Sequence, residues 1–221
     1  MMGKMTGFEG IGQIPPKVLK MYEAVSQLVE EGADPETLRV STITDRAGIG
    51  KGTAYEYFDS KDEIVIYAVV YQIQTAMAEL EKGLLDRNTF KEQMNYLLDE
   101  VSAQKGRQNS FLKLIHLLTD NSEFSRQVQG IIASAAHEKY RLIQLFRKLL
   151  SAAVERGELR NDLPLDYMVF SMGGRVLAYM VAVSEGGLQI ELSKMRELVY
   201  EGILNELCKK VETNLKKVNL C

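Results

Sequence analysis

Lys51, Gly52, Thr53, Tyr55 and Tyr57 fall within seven consecutive residues, with Ser41 and Thr42 upstream and Lys61 just downstream. A cation, a hydroxyl and two phenols, with no nucleophile–base pair or metal-ligand cluster beside them, are equipped for contact and not for bond making. Ammonium and hydroxyl groups fix a protein on phosphates, and base edges are read by whatever projects between them. Lys51 and Lys61 are candidate phosphate clamps, and Gly52 and Tyr57 candidate major-groove faces. Tyr55 and Tyr57 could instead pack as core aromatics, a reading that suits Tyr55 less because Ala54 and Phe58 already occupy the buried stripe. Ser41 and Thr42 open a helix whose first N–H groups favour a phosphate; for Ser41, simple helix capping competes evenly.

The elements that must hold these residues are legible in the same stretch. Ile43 and Ala47 are four apart and share one helix face. Gly48 can take positive φ and end that helix. Ile49 turns inward, and a second helix buries Ala54 and Phe58, again four apart. Two short helices at a glycine corner form the helix-turn-helix whose second helix enters a DNA major groove.

The run Ala47-Gly48-Ile49-Gly50-Lys51-Gly52-Thr53-Ala54-Tyr55-Glu56-Tyr57-Phe58, followed by Ser60-Lys61-Asp62-Glu63-Ile64, resembles the DNA-binding signature of TetR-family transcriptional regulators. The resemblance covers about residues 38 to 66 and departs at Gly50, where serine is common, and at Thr44, where alanine is common. Glycine still serves as an N-cap, but Gly50 can touch DNA only through its backbone. The resemblance implies hydroxyl contacts to the DNA backbone from Thr53 and Tyr55.

The chain has 221 residues, 46% hydrophobic and 26% charged, with a net charge of −3. That balance opposes nonspecific coating of a polyanion. Locally, however, Arg39, Arg46, Lys51 and Lys61 gather in the motif. No Gly-x-Ser-x-Gly, P-loop or His-Glu-x-x-His occurs, and the adjacent acids Glu30-Glu31 sit on a polar helix end, so no enzymatic activity is expected. His116 and His137 lack metal-ligand spacing; neither a metal nor another cofactor is expected. Cys208 and Cys221 form no disulfide framework, and no signal peptide or apolar span is read, so the expected compartment is the reducing cytoplasm, away from membranes.

The predicted fold is all-α. Residues 1–15 are read as a flexible leader, 16–61 as a three-helix DNA-binding domain, 62–210 as a helical effector-binding and dimerisation domain, and 211–221 as a tail. A first helix carries the Val18, Leu19, Tyr22, Val25, Leu28, Val29 stripe and ends near Gly32. A fourth, capped by Ser60 and Glu63, runs to about Lys82 and links reader to body. Further helices are predicted over about 89–104, 108–119, 122–156, 164–184 and 191–209, with cap chemistry from Asn88 or Thr89, Asn109, Asn121 or Ser122, and Ser193.

Tyr167, Phe170, Gly174, Leu177 and Val181 line one side of the penultimate helix, and Leu192, Met195, Val199, Ile203 and Leu207 one side of the last. Either stripe could serve the monomer core. The family resemblance implies pairing with a second copy in a four-helix bundle across a two-fold axis. Candidates for an effector pocket are Phe111, Ile115, His116, Tyr140, Met172, Arg175 and Tyr179, although aromatic and Met residues at this spacing serve a core more often than a ligand. Arg175, inside an apolar stretch, needs an internal carboxylate or an anionic ligand. The expected function is sequence-specific transcriptional regulation: a homodimeric repressor released from palindromic double-stranded DNA by a small-molecule effector. The alternative is an architectural or nucleoid-associated protein of the same fold without an effector.

Overall fold

The computed structural model describes residues 14–103, 121–133, 142–185 and 189–208. The expected leader, the 108–119 helix and the tail lie outside them. Helix α1 (Pro16–Glu30) starts on a proline and buries Val18, Met21, Tyr22, Val25 and Leu28. A 3-10 turn (Pro35–Thr37), stapled by the Asp34 carboxylate accepting from Glu36 N–H at 3.0 Å, leads into α2 (Val40–Ala47). Gly48 ends α2 at φ 65°, a left-handed conformation that side chains with a Cβ rarely adopt. Gly50 is the N-cap of α3 (Lys51–Tyr57) without a side-chain cap, as its residue type dictates.

Helix α4 (Lys61–Leu85) opens on the expected box: Ser60 Oγ accepts from Glu63 N–H at 3.1 Å, and the Glu63 carboxylate accepts from Asp59 N–H at 2.6 Å. It does not stop at Gly83 but runs one half-turn further. Tyr96 of α5 (Phe90–Ala103) lies so close over Gly83 that a Cβ there would collide with its phenol ring, and the Arg87 guanidinium lies over that ring 3.6 Å from its centroid. The glycine is thus a contact point and not a terminus. Thr89 and Glu92 form a second box at the start of α5.

The predicted 122–156 helix is described as α6 (Glu123–Ala133) and α7 (Leu142–Glu155), with 134–141 outside the described residues. Ser122 caps α6, its Oγ accepting from Ser125 N–H at 3.1 Å. Helices α8 (Leu165–Glu185) and α9 (Leu192–Leu207) complete the body. Ser193 does not cap α9; Glu191 occupies that position without a side-chain bond. The last helix ends at Leu207 because the chain turns extended there. Leu207 C=O accepts from Arg160 N–H at 2.9 Å, and Cys208 pairs with Leu159 in an isolated antiparallel bridge.

Two apolar cores share α4. The first joins α1, α2 and α3 with Ile64, Val65, Ile66, Ala68 and Val70 of α4, and takes in Phe124 and Val128 of α6. The second takes in Leu84 of α4, with Leu80 packed against it, and gathers α5, α7, α8 and α9 around Phe90, Leu98, Leu150, Met172 and Tyr179. Among the described residues no helix is long and apolar enough to cross a membrane.

Candidate functional site

The helix corner presents a small, uneven surface. On α3, Lys51, Gly52, Tyr55 and Glu56 are exposed, Thr53 is half-buried, and Tyr55 leaves 49% of its surface in solvent. Gly52 faces open space. Ala54 and Phe58 are fully buried, as their spacing requires. Tyr57 is a correction. Its ring is only 7% exposed and belongs to the first core, so it cannot reach a base edge without unpacking α3. Glu56, not singled out from sequence, takes the outward position one turn after Gly52. A carboxylate there is repelled by phosphates and can accept from cytosine N4; the i, i+4 relation to Gly52 was the available signal.

On α2, Arg39 is the N-cap residue, so the capping role open to Ser41 is not realised. Ser41 and exposed Thr42 lie in the first turn, where backbone N–H groups have no intrahelical acceptor. Thr44 is buried and donates its hydroxyl to Val40 C=O at 2.9 Å, which accounts for a polar residue at an apolar position. The four cations of the motif divide into two kinds. Arg46 makes two 2.7 Å bonds to the Glu31 carboxylate, which holds that carboxyl below its ordinary range. Lys61 donates to Glu36 C=O and pairs with Asp62, both at 2.6 Å. Arg39 and Lys51 are exposed and carry no ion pair among the described residues. The positive face that DNA would meet is therefore narrower than the sequence suggests.

The comparisons with known proteins bear on this corner directly. Residues 23–68 match the family described as bacterial regulatory proteins, tetR family. The matched segment spans α2, α3 and the start of α4, the corner described above. Over 197 residues it is 21% identical to the fatty acid metabolism regulator protein of Bacillus subtilis (strain 168), covering 86% of this chain and 97% of that one. Its fold is similar to that of the transcriptional regulator FadR from Bacillus subtilis in complex with stearoyl-CoA, with a TM-score of 0.61 and 19% identity over 83% of this chain and 98% of that one. It is also similar to the fatty acid degradation regulator FadR from Bacillus halodurans, with a TM-score of 0.63 and 17% identity over 88% and 97% of the two chains.

Behind this corner, the body residues sort by the face they take. Tyr167, Phe170 and Leu177 of α8 are among the exposed large apolar side chains, Phe170 at 79%, and Gly174 between them is exposed. Val181, further along the same stripe, is half-buried. On α9 the expected stripe faces the other way. Ile203 and Leu207 are fully buried in the second core, with Met195, Val199 and Leu192 packed against it. The outward apolar residue is Leu198, missed because the stronger periodic stripe belonged to the monomer.

Arg175 is a second correction. Its guanidinium lies on the outer side of α8, paired with Glu206 of α9 at 2.5 Å, and not in a pocket. Tyr167 Oη and Ser171 Oγ donate to the same carboxylate at 2.6 and 2.8 Å. These hydroxyls, Tyr167 first, and the Arg175 charge hold Glu206 below the ordinary carboxylate range. Met172 and Tyr179 do point inward, both essentially without solvent contact, and Tyr179 Oη is 2.7 Å from Ser102 Oγ. Phe111, Ile115, His116 and Tyr140 lie outside the described residues. No group of three His, Cys, Asp or Glu side chains able to hold a metal occurs among the described residues.

Proposed function

We propose that this protein is a homodimeric, cytoplasmic transcriptional repressor of the tetR type that leaves its operator when a long-chain acyl thioester binds the body. The observation that carries the DNA-reading half is the corner itself: a left-handed Gly48, the exposed Lys51, Gly52 and Tyr55, and a capped α4 leading from that corner into the second core. Lys51 and Arg39 hold phosphates, the first turn of α2 adds backbone N–H groups with Ser41 and Thr42, and Gly52, Tyr55 and Glu56 face the bases. The exposed Tyr167, Phe170, Gly174, Leu177 stripe with Leu198 supports pairing of two copies through α8 and α9. Such pairing would set two α3 helices about 34 Å apart, one turn of B-DNA, or a multiple of it.

The acyl thioester is suggested by the fatty acid regulators that this chain resembles, one of them in complex with stearoyl-CoA. The test is selection of bound duplexes from a random pool, followed by titration of the selected operator with and without stearoyl-CoA. A two-fold sequence bound tenfold or more weakly with the thioester is the expected result. Unselective binding would return the protein to the architectural reading, and an operator indifferent to the thioester would remove that effector class.

A further inference from the structure

The middle of α4 holds a group of polar side chains that neither core explains. Contacts of the first core on α4 end at Ile73, and those of the second begin at Leu80. Between them Gln74 is 1% exposed, and neither its amide oxygen nor its amide nitrogen has a hydrogen-bond partner among the described residues. The Thr75 hydroxyl is buried and unpartnered as well. Gln74 and Thr75 stand three and four residues after Tyr71, on the face of α4 that Tyr71 occupies. The Tyr71 ring packs against Tyr22 of α1 at 5.5 Å between centroids, and the Tyr22 hydroxyl is a further buried oxygen without a partner. A fourth such side chain, Gln72 through its Nε2, stands one turn before Thr75.

Buried amides and hydroxyls are ordinarily satisfied, and one left unpaired opposes folding. Gln72, Gln74 and Thr75 within two turns of α4, with Tyr22 of α1 beside them, hold buried polar atoms that packing alone does not call for. From Ile64 to Ala78, α4 has no Asp, Glu, Lys, Arg or His. The buried residues that α1 and α6 contribute beside it, among them Met21, Tyr22, Val25, Phe124 and Val128, are uncharged too. A carboxylate or phosphate brought here would meet no cation among these described residues, and its desolvation would go uncompensated by them. A neutral group that both donates and accepts would be met on both sides.

We propose that Gln74, with Thr75, is the recognition point for a neutral carbonyl or amide segment of the effector, placed at the joint between the two cores. This deepens the acyl-thioester reading and rests on it for the identity of the molecule. An acyl thioester carries such a neutral carbonyl and a free fatty acid does not. Because Tyr22 belongs to α1 and packs on Tyr71, a ligand held at Gln74 meets the reading unit through one intervening ring.

The experiment compares wild type, Gln74→Leu and Thr75→Val by calorimetric titration with stearoyl-CoA, octadecanamide and stearate, and by thermal melting without ligand. Expected are tenfold or greater loss of stearoyl-CoA and octadecanamide affinity in Gln74→Leu, a smaller loss in Thr75→Val, and melting temperatures at or above wild type. Stearate should bind wild type at least tenfold more weakly than octadecanamide. Equal stearoyl-CoA affinity in wild type and Gln74→Leu overturns the recognition role and leaves the acyl-thioester reading intact. Wild type that ignores stearoyl-CoA but binds octadecanamide through Gln74 overturns that reading and supports this one. No binding of either by wild type overturns both. A lower melting temperature in both variants assigns the side chains to folding and also overturns the proposal, as does stearate binding as tightly as the amide.

Discussion

Lys51 and Tyr57 sit six residues apart on a helix of two turns, and their surroundings separate them completely. Lys51 is exposed with no ion pair among the described residues, so its charge is available to a phosphate. Lys51→Ala should weaken binding to every duplex alike and lower the slope of log affinity against log salt by about one unit; an unchanged slope in an anisotropy titration would show that no phosphate contact was lost. Tyr57 is buried, so Tyr57→Ala opens a cavity in the first core. Its expected effect is a loss of roughly 3 kcal/mol of stability in urea denaturation, with base preference unchanged in whatever protein remains folded. The sequence could distinguish Ala54 and Phe58 from Lys51 by spacing alone. It could not place Tyr57, because a phenol suits a wet face and a core equally and only the closure of α3 over its neighbours decides. Arg175 was opaque for the same reason: its partner, Glu206, comes from a different helix.

Helix ends were the most readable elements, because their chemistry is local. Ser60-x-x-Glu63 and Thr89-x-x-Glu92 both cap their helices: the second pair is fully reciprocal, and in the first Glu63 accepts from Asp59 N–H, one residue before the cap. Ser60→Ala should cost about 1 kcal/mol and loosen the start of α4, seen as faster amide exchange at Glu63, while Ser193→Ala, at a position that caps nothing, should leave the melting temperature unchanged. The end of α4 was expected near Lys82, about three residues early, because a glycine inside a helix and one after it look alike until Tyr96, thirteen residues beyond Gly83, is brought against it. The same non-local dependence hid the outward face of α9. A stripe at 192, 195, 199, 203 and 207 is real, but which of two neighbours it meets is a tertiary fact.

For the whole molecule, the exposed α8 stripe and the buried α9 stripe make opposite predictions. Phe170→Glu places a charge in the proposed interface and should give monomers in sedimentation velocity with the melting temperature little changed below the dimer contribution. Ile203→Ala should remove about 2–5 kcal/mol of stability while the remaining folded protein still pairs. Acidity acts on the polar cluster beside that stripe. Glu206 titrates below its ordinary value of 4.5, so its contribution is complete above that pH and is lost as pH falls through the depressed native value. Stability should therefore fall with acid below about pH 4.5, and Glu206→Gln should flatten that part of the pH profile in denaturant titrations. The shared use of α4 reaches further, into how such proteins can change over generations. A recombination breakpoint after Lys61 would take Ile64, Ala68, Val70, Phe124 and Val128 from one parent and the residues they pack against, among them Val18, Tyr22, Val25 and Phe58, from the other. Reading heads in this architecture are poor currency for exchange, and new operator preferences should arise by single substitutions on the outward face of α3, with the interlocked interior inherited whole.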